Sequence, residues 1–213
     1  MNLRTTRLGA IFLVALLIAV AATLLMWPST EKTPRHVWPA PSAATNSASQ
    51  TATAFAHRIG FTTPYVTATS VFANSAVVDI SPVGPESGLL VHATTRVNET
   101  RANGKWLVTS CTSSQLVVYS PRPHSIISGL LPVRASTTAY EAVVNVQLRA
   151  TDSWDLEWKS TMMGGSMGEM GAASGMFPLR STASHPVALV LLSGSARDGG
   201  VIAPTVVPLT EQS

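Results

Sequence analysis

The chain has 213 residues, 46% of them apolar and only 12% charged, with a formal charge of +3 and one cysteine. One cysteine excludes a disulfide framework, so the folded part must hold by packing. Setting aside Arg4 and Arg7 leaves 12 Lys and Arg against 11 Asp and Glu, with no basic cluster, and no nucleic-acid partner is expected.

The first element is apolar. Leu8 to Trp27, "LGAIFLVALLIAVAATLLMW", carries no charge. At 1.5 Å per residue, about 20 such residues cross a hydrocarbon core of about 30 Å. Ala19-Val20-Ala21 offers a cleavage pattern, but the run continues through Leu24, Leu25 and Met26. That exceeds the roughly 7 to 15 residues of a signal-peptide core and favours an uncleaved anchor. The basic, acid-free tail with Arg4 and Arg7 places the N-terminus inside and the remainder outside, against Lys32 and Arg35 beyond the span. Residues 1–27 are thus expected to be a cytoplasmic tail and transmembrane anchor, and the protein a single-pass cell-membrane protein with extracytoplasmic C-terminal domains.

Residues 28–50, "PSTEKTPRHVWPAPSAATNSASQ", have no hydrophobic period and read as a Pro/Ala/Ser/Thr-rich tether. Residues 51–114 read as a small α+β module. Ser49 is the expected cap of a short helix on which Ala52, Phe55, Ala56 and Ile59 recur at helical spacing, and Gly60 stops it. Four β-rich runs follow, "YVTATSVFA", "AVVDIS", "GLLVHATTRV" and "KWLVTSC", separated by turn signals that include Asn103-Gly104, and predict an antiparallel meander.

Residues 115–213 show no helical period and predict a β-sandwich of about seven strands. In "YEAVVNVQLR", Ala142, Val144, Val146 and Leu148 alternate with Glu141, Asn145, Gln147 and Arg149. "WDLEWK" predicts Trp154, Leu156 and Trp158 on one face and Asp155, Glu157 and Lys159 on the other. "VALVLLS" is apolar on both faces and reads as a central strand, with "LVVYS", "LPVRAS", "VIAPTVVPL" and a strand beginning near Phe177 completing the set. The fold class expected is mainly β: an N-terminal transmembrane helix, the small α+β module, then the sandwich.

The chemical candidates are few. Gly164-Gly165-Ser166-Met167-Gly168 matches the G-x-S-x-G nucleophile pattern, but "EMGAASGMF" is too glycine-rich for the helix that motif requires. The tract reads as an elongated strand connection. Its methionines offer an alternative, since Met163, Met167 and Met170 are soft thioethers spaced to converge on Cu(I). Cys111, in "WLVTSC", reads as a buried, inert thiol. The histidines at 36, 57, 92, 124 and 185 show no zinc-site spacing; His92 near Asp79 is a weak catalytic pair. Glu141, Asp152, Asp155 and Glu157 read as solvent-face acids, and Asn98-Glu99-Thr100 as a chance glycosylation pattern. No catalytic residue, cofactor or small-molecule substrate is expected.

"VYSPRPHSIISGLLPVRAS", "AYEAVVNVQLR" and "SARDGG" carry a resemblance over residues 115 to 209. Through Ser120-Pro121, Leu131-Pro132-Val133, Tyr140, Glu141, Val144 and the turn from Ser195 to Gly200, this region resembles the immunoglobulin-like domain associated with bacterial spore-germination proteins. His124, Leu130 and Ala135 depart from that pattern. "AFAHRIGF" and "NGKW" are similar to a module that often precedes this domain in membrane-anchored actinobacterial proteins. The resemblance implies an adhesive or scaffolding role without catalysis, with the membrane and an envelope protein as partners. Extracytoplasmic Cu(I) binding by the methionines is the alternative.

Overall fold

Ser47, rather than Ser49, begins the one helix described. Its hydroxyl accepts from the Gln50 N–H, and its extended backbone (φ −119°) starts α1, Ala48–Arg58. The helix buries Ala48, Thr51, Ala52, Phe55 and Ala56. It ends where expected: Gly60 has φ +106° and donates to the His57 carbonyl, while the Phe61 N–H donates to that of Ala56. These two bonds form a Schellman motif, and Gly60 supplies the left-handed residue it needs.

The computed structural model describes residues 35–83, 93–138, 143–165, 169–179, 184–194 and 200–212. The expected membrane span at 8–27 lies outside these. No helix among the described residues is long and apolar enough to cross a membrane.

Among the described residues, twelve strands follow α1 in chain order: β1 (Pro64–Phe72), β2 (Ser75–Pro82), β3 (Thr95–Ala102), β4 (Lys105–Ser113), β5 (Leu116–Ser120), β6 (Ile126–Ile127), β7 (Leu130–Thr137), β8 (Val143–Ala150), β9 (Leu156–Met163), β10 (Gly171–Pro178), β11 (His185–Gly194) and β12 (Val201–Glu211). Hydrogen bonds join them in the order β1-β2-β3-β4-β12-β11-β8-β9, with β5, β7 and β10 branching from β4 and β6 attached to β12. The pairs are antiparallel except β6–β12.

The first four strands form the expected meander. Asn103 (φ +50°) and Gly104 (φ +79°) turn β3 into β4 between the paired Ala102 and Lys105, the geometry an Asn-Gly hairpin favours. The third strand differs from expectation. It runs later, from Thr95 to Ala102, and residues 84–92 lie outside the described set.

The C-terminal part of the expected tether is folded. Val37 is fully buried, its N–H donates to the Val108 carbonyl, and the Trp106 N–H donates to the Thr45 carbonyl. Residues 37–45 thus line part of β4, and capping an open edge in this way satisfies donors that would otherwise face water. Composition missed this because a chain that follows an edge without regular pairing has no hydrophobic period.

β11 carries both cores. Val187, Leu189 and Leu191 face a cluster with Leu116, Leu131, Val133, Val144, Val146 and Val207. Ala188, Val190 and Leu192 face a second cluster with Phe55, Ile80, Val97, Trp106 and Trp154. This double burial is why "VALVLLS" has no polar row. In β8, Val144, Val146 and Leu148 are buried as the alternation predicts.

"WDLEWK" departs from simple alternation. Trp154 lies before β9 in the left-handed region (φ +63°) and is buried in the helix-side core, whereas Trp158 packs beside the opposite core. Leu156 is 45% exposed. The cause is a bulge: Leu148 pairs with Trp158 and Arg149 with Leu156, leaving Glu157 as the extra residue.

Candidate functional site

The methionine- and glycine-rich tract is mostly strand. β9 continues to Met163 and β10 already begins at Gly171, which shortens the expected connection to 164–170. Met162 is a core residue. Met163 and Met170 are 65% and 50% exposed at the two ends of the connection, while Met167 and Ser166 lie outside the described residues. The glycines have a packing role. A Cβ on Gly165 would run into the Gly171 nitrogen and the Thr137 and Glu169 carbonyl oxygens, and one on Gly164 into the Thr137 methyl. Gly165→Ala is expected to cost about 1–3 kcal/mol by overpacking against backbone. Met163→Leu at an exposed position should stay within about 0.5 kcal/mol. Thermal unfolding of both variants checks this.

The histidines fall in separate places. His36 Nε2 lies 2.5 Å from Asp152 Oδ1. His57 Nδ1 is 3.0 Å from the Phe61 carbonyl at the end of α1. His124 sits in the left-handed region, and its N–H donates to the Pro208 carbonyl. His92 is outside the described residues; Asp79, its expected neighbour, instead accepts two bonds from the Arg96 guanidinium at 2.9 and 3.1 Å. Cys111 is fully buried, and that burial pushes its thiol well above the ordinary range.

His185 is different. Its Nε2 lies 2.7 Å from Glu157 Oε1, and a ligand atom from each of Glu157, His185 and Glu211 falls within 4.8 Å of the others. Sequence reasoning missed this group. Its members lie on three strands; Glu157 is exposed, as alternation predicts, and its approach to His185 depends on strand order and register. The paired ends of β11 and β12, where His185 is opposite Glu211, were the signal available once register was known.

β1 is the feature best suited to contact another protein. Among the described residues it forms a sheet edge and pairs with β2 alone. From Ile59 to Val78 the chain has no charged residue. Tyr65, Val71 and Phe72 are 54%, 55% and 64% exposed. Pro64 and the bulge between Val66 and Ala68 blunt the start of this edge, but Ala68 to Phe72 pairs regularly with β2 and has no such guard. β9, at the other end of the sheet path, bears Glu157 and Lys159 and the bulge. Both ends carry a bulge, but only β9 adds charged side chains, which discourage a further strand.

A groove of about 360 Å³ lies over Asn145, Gln147, Lys159, Ser160 and Thr161. These residues occupy the paired middle of β8 and β9.

Glu99 is an isolated buried acid. It stands opposite Ala76 on β2 and Val108 on β4, with 3% exposure, and neither carboxylate oxygen has a hydrogen-bond partner among the described residues. The nearby cations are engaged elsewhere, Arg96 with Asp79 and Arg101 over the Trp106 ring at 5.7 Å. Burial pushes the Glu99 pKa up to about 8. Its sequence neighbourhood suggested only a glycosylation pattern, and Asn98 instead donates to the Ser110 hydroxyl.

Neither protein-family models nor curated proteins give a match to this chain. Fold and sites together define a mainly β protein, with, among the described residues, one short helix on a sheet whose two ends are guarded unequally.

Proposed function

We propose that this chain is a membrane-tethered cell-envelope protein acting as a non-catalytic binding or scaffolding module. It engages an envelope protein by adding that partner's strand to β1. The observation that carries this reading is the uncharged edge from Ala68 to Phe72, with Val71 and Phe72 exposed. In β-augmentation, main-chain hydrogen bonds supply affinity and alternate side chains supply specificity. The apolar run from Leu8 to Trp27 supports the membrane anchor.

The immunoglobulin-like reading draws support from connectivity. β5-β7-β10 forms one set of neighbours and β9-β8-β11-β12 the other. That is the A-B-E and C′-C-F-G order of such sandwiches, with the core between them built from both sets. The α1–β4 region then extends the second set through β4, where Cys111 pairs with Val206.

A photo-crosslinking residue at Phe72 of the full-length protein in cells should capture one reproducible envelope protein, and the same residue at exposed Tyr119 should not. Val71→Lys should abolish the Phe72 crosslink with the melting temperature unchanged, because the side chain is exposed. Equal capture from both positions, or capture insensitive to Val71→Lys, would count against the edge as the docking element.

A further inference from the structure

We infer that Glu157, His185 and Glu211 form a binding site for a zinc-class divalent cation, with one imidazole nitrogen and two carboxylate oxygens as ligands. The donors come from β9, β11 and β12 and already lie within 4.8 Å of one another. Tetrahedral zinc with N and O ligands at 2.0–2.2 Å holds its donors roughly 3.4 Å apart, so small side-chain rotations bring the three into range. The mixed donor set is the reason for the class: imidazole suits zinc, whereas magnesium and calcium prefer sites built from oxygen.

The backbone orients each ligand independently. Glu157 is the bulged residue of β9, set out of the normal alternation beside the pairing of Leu148 with Trp158. Bulges re-aim side chains in this way. His185 and Glu211 are register partners at the ends of β11 and β12. The residues flanking Glu211 are tied to the neighbouring segment, since the Thr210 N–H donates to the Ser125 carbonyl and the Gln212 N–H to that of Ile127.

Charge points the same way. Glu211 is only 2% exposed, and Glu157 brings a second carboxylate within reach. Two carboxylates and one imidazole thus meet at a partly buried place, a donor set whose charge and ligand type suit a divalent cation. Three protein ligands leave a fourth position for water or for a donor from another molecule. The site does not involve β1 and stands independently of the docking surface proposed there.

Full-length protein in detergent, stripped with a chelator, is titrated with zinc against a chromophoric competitor. One equivalent is expected to bind, and Glu157→Gln and His185→Gln are each expected to weaken it at least tenfold. His36→Asn removes a histidine–carboxylate contact elsewhere and should leave affinity unchanged. X-ray absorption at the zinc edge should show nitrogen and oxygen ligands near 2.0–2.1 Å and no sulfur shell near 2.3 Å. Absence of stoichiometric uptake, uptake unaffected by both variants, a sulfur shell, or calcium binding in place of zinc would each overturn the inference. Zinc should also raise the melting temperature of the wild type and not that of Glu157→Gln, which separates lost binding from a folding defect.

Discussion

Replacing Glu99 by methionine is expected to stabilise the protein, and by more at pH 8 than at pH 5. In the folded chain this carboxyl titrates near 8; in the unfolded chain it returns towards its ordinary value of 4.5. Between those two values the folded state holds a proton that the unfolded state has released. The contribution of Glu99 to stability is therefore greatest below about pH 4.5 and falls as pH rises, at up to about 1.4 kcal/mol per pH unit, levelling off above pH 8. Across that window the loss amounts to several kcal/mol, a large share of the roughly 5–15 kcal/mol that holds a typical domain. A methionine side chain has no proton to lose, so thermal unfolding of Glu99→Met at pH 5, 6.5 and 8 should show a flatter profile than wild type. A difference between the two proteins that does not grow with pH would mean that the carboxyl has a partner when ionised.

Trp154→Ala is expected to be among the most damaging single changes, at about 3–5 kcal/mol. The side chain is 1% exposed, its ring meets Phe55 edge-on at 5.3 Å, and the Arg149 guanidinium lies 5.7 Å from its centroid. Arg149 also donates to the Trp154 carbonyl at 2.7 Å. Removing the indole leaves a void between α1 and the turn that precedes β9, and Phe55 loses its aromatic neighbour. Trp158→Ala should cost less, because that ring is only partly buried beside Phe177. Denaturant unfolding of the two variants ranks them, and equal losses would contradict the different burial. A double mutant cycle between Phe55 and Trp154 should give a coupling of about 0.5–1.5 kcal/mol, the usual value of an aromatic pair.

Local pattern made much of the fold legible. The Asn103-Gly104 hairpin, the stop at Gly60, the buried row of Val144, Val146 and Leu148, and the two apolar faces of β11 all follow from spacings of a few residues. Errors arose where a local rule met a distant constraint. Ser47 and Ser49 are both acceptable caps in sequence; the helix starts from the earlier one, with Ala48 buried. The glycines near Met163 resemble a loop until Thr137 is brought against them, after which they are small residues where backbones approach. β6 is two residues long, too short for any period to register.

The candidate sites were less legible than the fold. An uncharged stretch from Ile59 to Val78 is visible in sequence, but that β1 stands at an edge depends on strand order. Glu99 became an isolated acid only when β2 and β4 enclosed it with Ala76 and Val108. Alternation placed Glu157 in solvent, where it lies, but its contact with His185 depends on which strands adjoin. Most of the longer β segments, where the short helix ends and which strand is central could be read from residue order, because propensity and period act within one segment. Which edge is open, which acid is buried alone and which three ligands meet emerged on folding, because strand order, register and bulges are set by contacts between residues far apart in the chain.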